Sequence, residues 1–234
     1  MALAGRAFLA LWNDIARTRE AEYDQWHTLE HVPERVSARG FHGARRYVNR
    51  AREQHRYFTL YDVDSLDVFE SDEYRDLRDH PTPWSAAMRP DFGNVVRATC
   101  SVQTSRGVGI GAAIGCLCVD ATVPADLLDA ALEATHAGPR VNAVHVGKRS
   151  DDASTVPFAP RLKGIPARTF DRIVLIEALD RDAACDALTH AKHALGLDSL
   201  PVDFGADVYD LAFAFPGAGD GERRAHRRPA WDSR

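Results

Sequence analysis

Lysine is almost missing from this chain: of its 29 lysines and arginines, only Lys148, Lys163 and Lys192 are lysine. The cations are therefore guanidiniums, permanently charged and shaped for bidentate pairing with oxyanions. No long basic run crosses the part expected to fold, and the formal charge is -5, which argues against a nucleic-acid partner. Cysteine is scarce too. Cys100, Cys116, Cys118 and Cys185 form no C-x-x-C pair, and four cysteines in 234 residues are too few for a disulfide framework, which suits a reducing compartment. Cys116 and Cys118 alternate within an apolar run, so on a strand both share one face and read as small buried hydrophobes. Long apolar runs are absent as well. Ala7 to Trp12 follows a single arginine and is interrupted by Asn13-Asp14, too short for a signal segment or a membrane span. The expectation is a soluble, cytoplasmic protein without a membrane partner. At 45% hydrophobic content, the chain can bury one large core or two small ones.

What is present is concentrated in Tyr23-Asp24-Gln25-Trp26-His27-Thr28-Leu29-Glu30-His31-Val32-Pro33-Glu34-Arg35. At about 100° per residue, Tyr23, His27, Glu30 and Glu34 fall on one helical stripe, with Trp26 and His31 at its edges. A helix that only buries itself carries Leu, Ile or Val on that stripe. Titratable and amphipathic groups there point instead to a helix bordering a cavity.

Periodicity then gives an order of elements. Arg6 to Ile15 reads as a strand and Glu20 to Ser37 as a helix closed by Arg39-Gly40. Phe41 to Asn49 and His55 to Val63 read as a hairpin, Ser65 to Arg78 as a helix with Ser65 as its cap, and Asn94 to Gln103 as a strand. The second half repeats this: strand Gly109 to Val119, helix Pro124 to His136, strand Val141 to Lys148, a loop over Ser150 to Ala167, strand Phe170 to Leu179, helix Asp182 to Leu195 stopped by Gly196, and strand Asp207 to Phe215. The fold class expected is α+β: two tandem ferredoxin-like β-α-β-β-α-β units whose antiparallel sheets pack face to face as an intramolecular barrel. Face-to-face packing follows because Phe58-Thr59-Leu60-Tyr61 and Ile173-Val174-Leu175-Ile176 are apolar on both sides. The units would span residues 1–105 and 106–216, joined by Thr104-Ser105-Arg106-Gly107, with a disordered, solubilising tail over 217–234.

Such a pair closing on itself resembles the dimeric α/β-barrel superfamily, here as a fused pseudo-dimer. Trp26-His27, Glu30-His31-Val32-Pro33-Glu34-Arg35, Gly40-Phe41 and Ala44-Arg45-Arg46-Tyr47 resemble its EthD-like branch over residues 5–105; the second half matches in element order only. The resemblance implies the fold more than a reaction, since the superfamily includes isomerases, cyclases, monooxygenases and haem enzymes. It also implies that a small-molecule site lies between helices and sheet. The second-half helix carries Leu127, Leu128, Ala131 and Leu132, ordinary packing residues, so one site is expected, in the first half.

The expected acid–base group is His31, with His27 beside it and Glu30 orienting the imidazole. Tyr23, Trp26, Asn13, Arg46, Tyr47, Tyr61 and Trp84 would bind substrate, with Trp84 held stiffly as a lid by Pro81-Thr82-Pro83. Arg45 and Arg46 point to opposite faces of a strand, and the buried one needs an acid such as Glu30, Glu34 or a ligand carboxylate. His27-Thr28-Leu29-Glu30-His31 matches the H-x-x-E-H zinc pattern, but Pro33 follows it and no third ligand announces itself, so no metal is expected. Gly107-Val108-Gly109-Ile110-Gly111 has no helix after it and is not a phosphate loop. The reading is a cofactor-independent isomerase, cyclase or lyase acting on an aromatic or carbonyl-bearing metabolite, as a monomer or homodimer. Its alternatives are a non-catalytic binding protein, or a haem or metal protein, for which His190 or His193 would be the later histidines.

Overall fold

A computed structural model describes residues 3–150, 170–217 and 225–231. Eight strands close into one antiparallel barrel in the order β1-β3-β2-β8-β5-β7-β6-β4. The first half supplies β1 (Ala7–Ile15), β2 (Phe41–Val48), β3 (Tyr57–Val63) and β4 (Phe92–Gly107). The second supplies β5 (Ala113–Val119), β6 (Val141–Arg149), β7 (Arg172–Ala178) and β8 (Ala206–Pro216). Each half has the ferredoxin-like order, β4-β1-β3-β2 and β6-β7-β5-β8. The halves join where β2 pairs with β8 and β4 with β6.

Alternation along the strands explains both faces. Phe8, Ala10, Trp12, Phe58, Leu60, Cys116, Cys118 and Leu175 point into the barrel and form its buried core. Leu9, Ala44, Tyr61 and Val63 point outward beneath the first-half helices. The barrel leaves little room at Gly147: a Cβ there would lie 2.3 Å from the Phe8 ring and 2.8 Å from the Cys100 Cβ. In the second half the outer layer is aliphatic, with Leu128, Ala131 and Leu132 of α5 (Ala125–His136) and Ala184 and Leu188 of α6 (Arg181–Ala194) against Val144, Val174 and Ile176. Asp180 caps α6 by accepting from Ala183 N at 3.0 Å, and Gly196 takes the left-handed φ of +66° after its end.

Three details differ from the sequence reading. Thr104 to Gly107 are the end of β4, paired with β6 as far as Gly107 opposite Ala143; their polar side chains sit on a strand that stitches the halves together. Ser71, not Ser65, caps the first-half helix α3 (Asp72–Asp79), accepting from Tyr74 N at 3.2 Å, because Leu66–Glu70 forms a separate 3-10 turn. Residues 225–231 are docked, not disordered: Arg227 pairs with Glu73 at 2.6 Å, Arg228 with Glu34 at 2.7 Å and Asp76 at 3.0 Å, and Trp231 is buried. The tail's arginines find three carboxylates on the first-half helices, which composition alone does not reveal. The expected loop falls almost wholly on residues 151–169, outside those described.

Candidate active site

The helix expected over Glu20 to Ser37 is built from α1 (Glu20–Trp26), a π-turn (His27–His31) and α2 (Val32–Ser37). Pro33 has no N–H to return to the Leu29 carbonyl, so the ordinary ladder is interrupted at this point. The Val32 N–H instead reaches back five residues to the His27 carbonyl. One extra residue per turn rotates everything after it, and single π-turns of this kind occur often at functional sites. The stripe that lies together is therefore Tyr23, His27, His31 and Arg35, not Tyr23, His27, Glu30 and Glu34. Tyr23 and His27 ring centroids are 5.2 Å apart, as are His27 and His31, and Trp26 covers His31 at 4.4 Å.

This stripe packs on the outer face of β1, β3 and β2. Tyr23 donates to Asn13 Oδ1 at 3.4 Å and packs on Tyr57 at 4.6 Å. Arg46 lies over Tyr23 and Phe213, and reaches Thr28 Oγ1 at 3.2 Å and Asp24 at 3.5 Å. Buried polar atoms without a hydrogen-bond partner gather here: His27 Nδ1, His31 Nδ1, Arg35 Nη1, Arg46 Nε and Tyr61 Oη. Native interiors pair such atoms with protein, water or ligand. Burial, aided by Arg46, holds the His27 pKa well below the usual imidazole range. Burial, then Arg35, His27 and Arg89, does the same to His31. Both rings are therefore neutral. Burial pushes the Tyr61 phenol up, so it keeps an O–H to donate.

Glu30 is placed differently from the role expected of it. Its Oε1 accepts from Trp26 Nε1 at 3.1 Å, Thr82 Oγ1 at 2.6 Å and Ser85 Oγ at 3.2 Å. It ties α1 to α4 (Pro83–Met88) and fixes Trp26, and reaches His31 only through that indole. Thr82 also caps α4, accepting from Ser85 N at 3.1 Å. Trp84 is half-buried on α4 and donates to Glu22 at 3.1 Å, on the α1 side of the same cluster.

Tyr47 lies elsewhere. Arg46 and Tyr47 are neighbours on β2, so they face opposite sides of the sheet; Tyr47 is inside the barrel, 6.0 Å from Phe58. Arg45 shares that interior and pairs with Glu177, wholly buried on β7. Glu177 also accepts from Gly111 N at 2.7 Å and lies 3.5 Å from His145, whose Nδ1 is 2.9 Å from Ser105 Oγ. Both arginines are buried, and the acids that meet them are Glu177 for Arg45 and Asp24 for Arg46, not Glu30 or Glu34.

The sequence reading passed over Arg35, Thr82 and Ser85 as site residues. Arg35 could have been found from the spacing of four that links Tyr23, His27, His31 and Arg35; the other two carry no such signal. A separate cleft of about 360 Å³ lies between the end of α5 and α6, lined by Thr135, Arg140, Val141, Asp186 and His190 among others. Arg140 is paired there with Asp180, and Thr135 bonds to its own helix at Ala131 O, 2.7 Å away. Among the described residues, no group of three or more His, Cys, Asp or Glu side chains could hold a metal ion. His190 and His193 are on α6, in the half opposite the histidine stripe.

No family model matches the sequence, and no curated relative matches it either. Solved structures do share the fold. An "anthrone oxidase-like protein" aligns with a TM-score of 0.60 at 11% identity, covering 94% of this chain and 97% of that one. A "putative monooxygenase" from Fusobacterium nucleatum gives 0.56 at 14% identity, covering 93% and 97%. A "putative chlorite dismutase" gives 0.55 at 10% identity, covering 89% and 96%. At these identities the likeness is one of architecture: this chain shares the closed barrel fold of those structures.

Proposed function

We propose that this protein is a small-molecule enzyme whose site lies between the π-turn helix and the outer face of β1, β3 and β2. The observation that carries this reading is the pair of neutral imidazoles at His27, which is buried, and His31, which is half-buried, each with a buried, unpaired Nδ1, beside the unpaired Tyr61 hydroxyl. A neutral imidazole accepts a proton from a substrate O–H or from a C–H next to a carbonyl. The Tyr61 O–H then donates to the oxyanion that forms, and the rings of Tyr23 and Trp26 hold a flat substrate body. Glu30 is a positioning residue acting through Trp26. The reaction class is an isomerisation, cyclisation or elimination of an aromatic or carbonyl-bearing metabolite without a cofactor. The EthD-like kinship of the first half belongs to this proposal.

The test begins with a thermal-shift screen of aromatic and carbonyl compounds to find a ligand. Binding and turnover are then followed separately in His31→Ala and Glu30→Gln. Loss of turnover in the first, with binding within a few fold, supports the reading; unchanged binding and turnover removes it. An oxygen electrode separates these reactions from an oxygen-consuming one that starts with the same proton abstraction. A purely binding protein would hold the ligand without any product appearing.

A further inference from the structure

The site holds more positive charge than its own acids neutralise. Arg35 follows His31 by one turn, its Nη1 is buried without a hydrogen-bond partner, and among the described residues no carboxylate lies within 4.0 Å of its guanidinium. Its neighbour is the Tyr74 ring, 5.7 Å away. Every acid close by is engaged elsewhere. Glu34 and Asp76 are held by Arg228 of the docked tail, at 2.7 and 3.0 Å. Glu30 is held by Trp26, Thr82 and Ser85. Asp24 faces Arg46 and Arg50, each at 3.5 Å. Arg89 adds a second guanidinium, close enough for Arg35 to lower its pKa after burial has done so.

A half-buried guanidinium beside aromatic rings, with its acids withheld, is a poor structural choice unless something arrives to pair it. The rings of Trp26, Tyr61 and Tyr74 suit a flat body, and the fork of Arg35 suits a carboxylate. Resting on the reading above, we propose that the ligand is an aromatic carboxylate whose anionic group seats on Arg35, with its ring system lying towards His31. This has a chemical consequence. The Arg35 field is one of the influences keeping His31 uncharged; a carboxylate on Arg35 cancels it and makes His31 a stronger base only when substrate is bound.

The probe pair is 1-naphthoate and its uncharged isostere 1-naphthamide, titrated calorimetrically into the full chain and into Arg35→Gln. The naphthoate is expected to bind at least about tenfold tighter than the amide, the worth of one charge-assisted pair, with the preference lost in the variant. Imidazole 15N spectra of the unmodified protein give a second reading if Arg35→Gln does not fold: the naphthoate, and not the amide, should raise the His31 pKa. Equal affinity for acid and amide, no naphthoate binding at millimolar concentration, or an acid preference that survives in Arg35→Gln overturns the proposal. Those outcomes leave the dependence of turnover on His31 untouched, whereas turnover indifferent to His31→Ala overturns the enzymatic reading alone.

Discussion

Replacing Arg45 by methionine should unfold the barrel more readily than any surface change. Arg45 and Glu177 pair inside the barrel across β2 and β7, both almost fully buried, and Glu177 has no exposed surface. Removing the guanidinium leaves the carboxylate with the Gly111 N–H at 2.7 Å and His145 at 3.5 Å. An uncompensated buried charge costs about 3–5 kcal/mol, a large share of the roughly 5–15 kcal/mol that stabilises a typical domain. Removing both partners as Arg45→Met with Glu177→Leu should recover most of that loss, since no charge stays stranded. The pH dependence carries a sign. In the native protein Glu177 is held below the ordinary carboxylate range, against its own burial, by His145, Arg45 and the Gly111 N–H, so it contributes stability above about pH 4.5 that is lost on acidification. Without Arg45, burial dominates and the folded pKa rises, so the deficit of Arg45→Met should be greatest near pH 7 and shrink towards pH 4.5. Urea unfolding of the two single variants and the double variant, at matched m-values, measures all of this. A loss below about 1 kcal/mol for Arg45→Met at pH 7, within the range of exposed pairs, would refute the buried-network reasoning.

Three further outcomes follow from the geometry. Because His27 and His31 are kept neutral when folded but titrate near 6.5 when unfolded, stability should fall as pH drops from 6.5; the ceiling, reached if both rings stay uncharged at pH 5, is about 2 kcal/mol each, and His27→Gln with His31→Gln should flatten that slope. Glu30→Ala removes the acceptor of the Thr82 and Ser85 hydroxyls and leaves the Trp26 indole N–H only Ser85 Oγ, 3.2 Å away, and should cost about 1–3 kcal/mol in urea unfolding, with Glu30→Gln recovering part because it still accepts. Gly147→Ala drives a methyl into Phe8 and Cys100 and should lower the urea midpoint by the equivalent of about 1–3 kcal/mol; an unchanged midpoint would mean that β1, β4 and β6 do not close as tightly as described.

The order of elements was legible in the sequence because period-two runs and capped helices alternate cleanly in both halves. Cys116 and Cys118, read as one buried face, do point together into the barrel. The polar and aromatic stretch that forms the candidate site stands out in the sequence, whereas its geometry does not. A fixed turn of about 100° per residue put Glu30 and Glu34 on the inner stripe, and the π-turn before Pro33 moved His31 and Arg35 there instead. Tyr47 follows Arg46 directly on β2, and strand alternation alone places the two on opposite faces of the sheet. Glu177, the partner of Arg45, is 132 residues away, and only the register of a closed barrel brings them together. The docked tail depends on Glu34, Glu73 and Asp76 lying side by side across α2 and α3, which no local pattern announces.

The proposed site needs both imidazoles of the stripe uncharged, with each Nδ1 free to meet a ligand. Imidazole 15N spectra of ring-labelled protein, recorded from pH 5 to 8 without ligand, are the sharpest check on that requirement. His27 and His31 should stay neutral across that range with Nδ1 unprotected by any protein donor. Both rings gaining charge with midpoints near 6.5, as solvent-exposed histidines do, would contradict it.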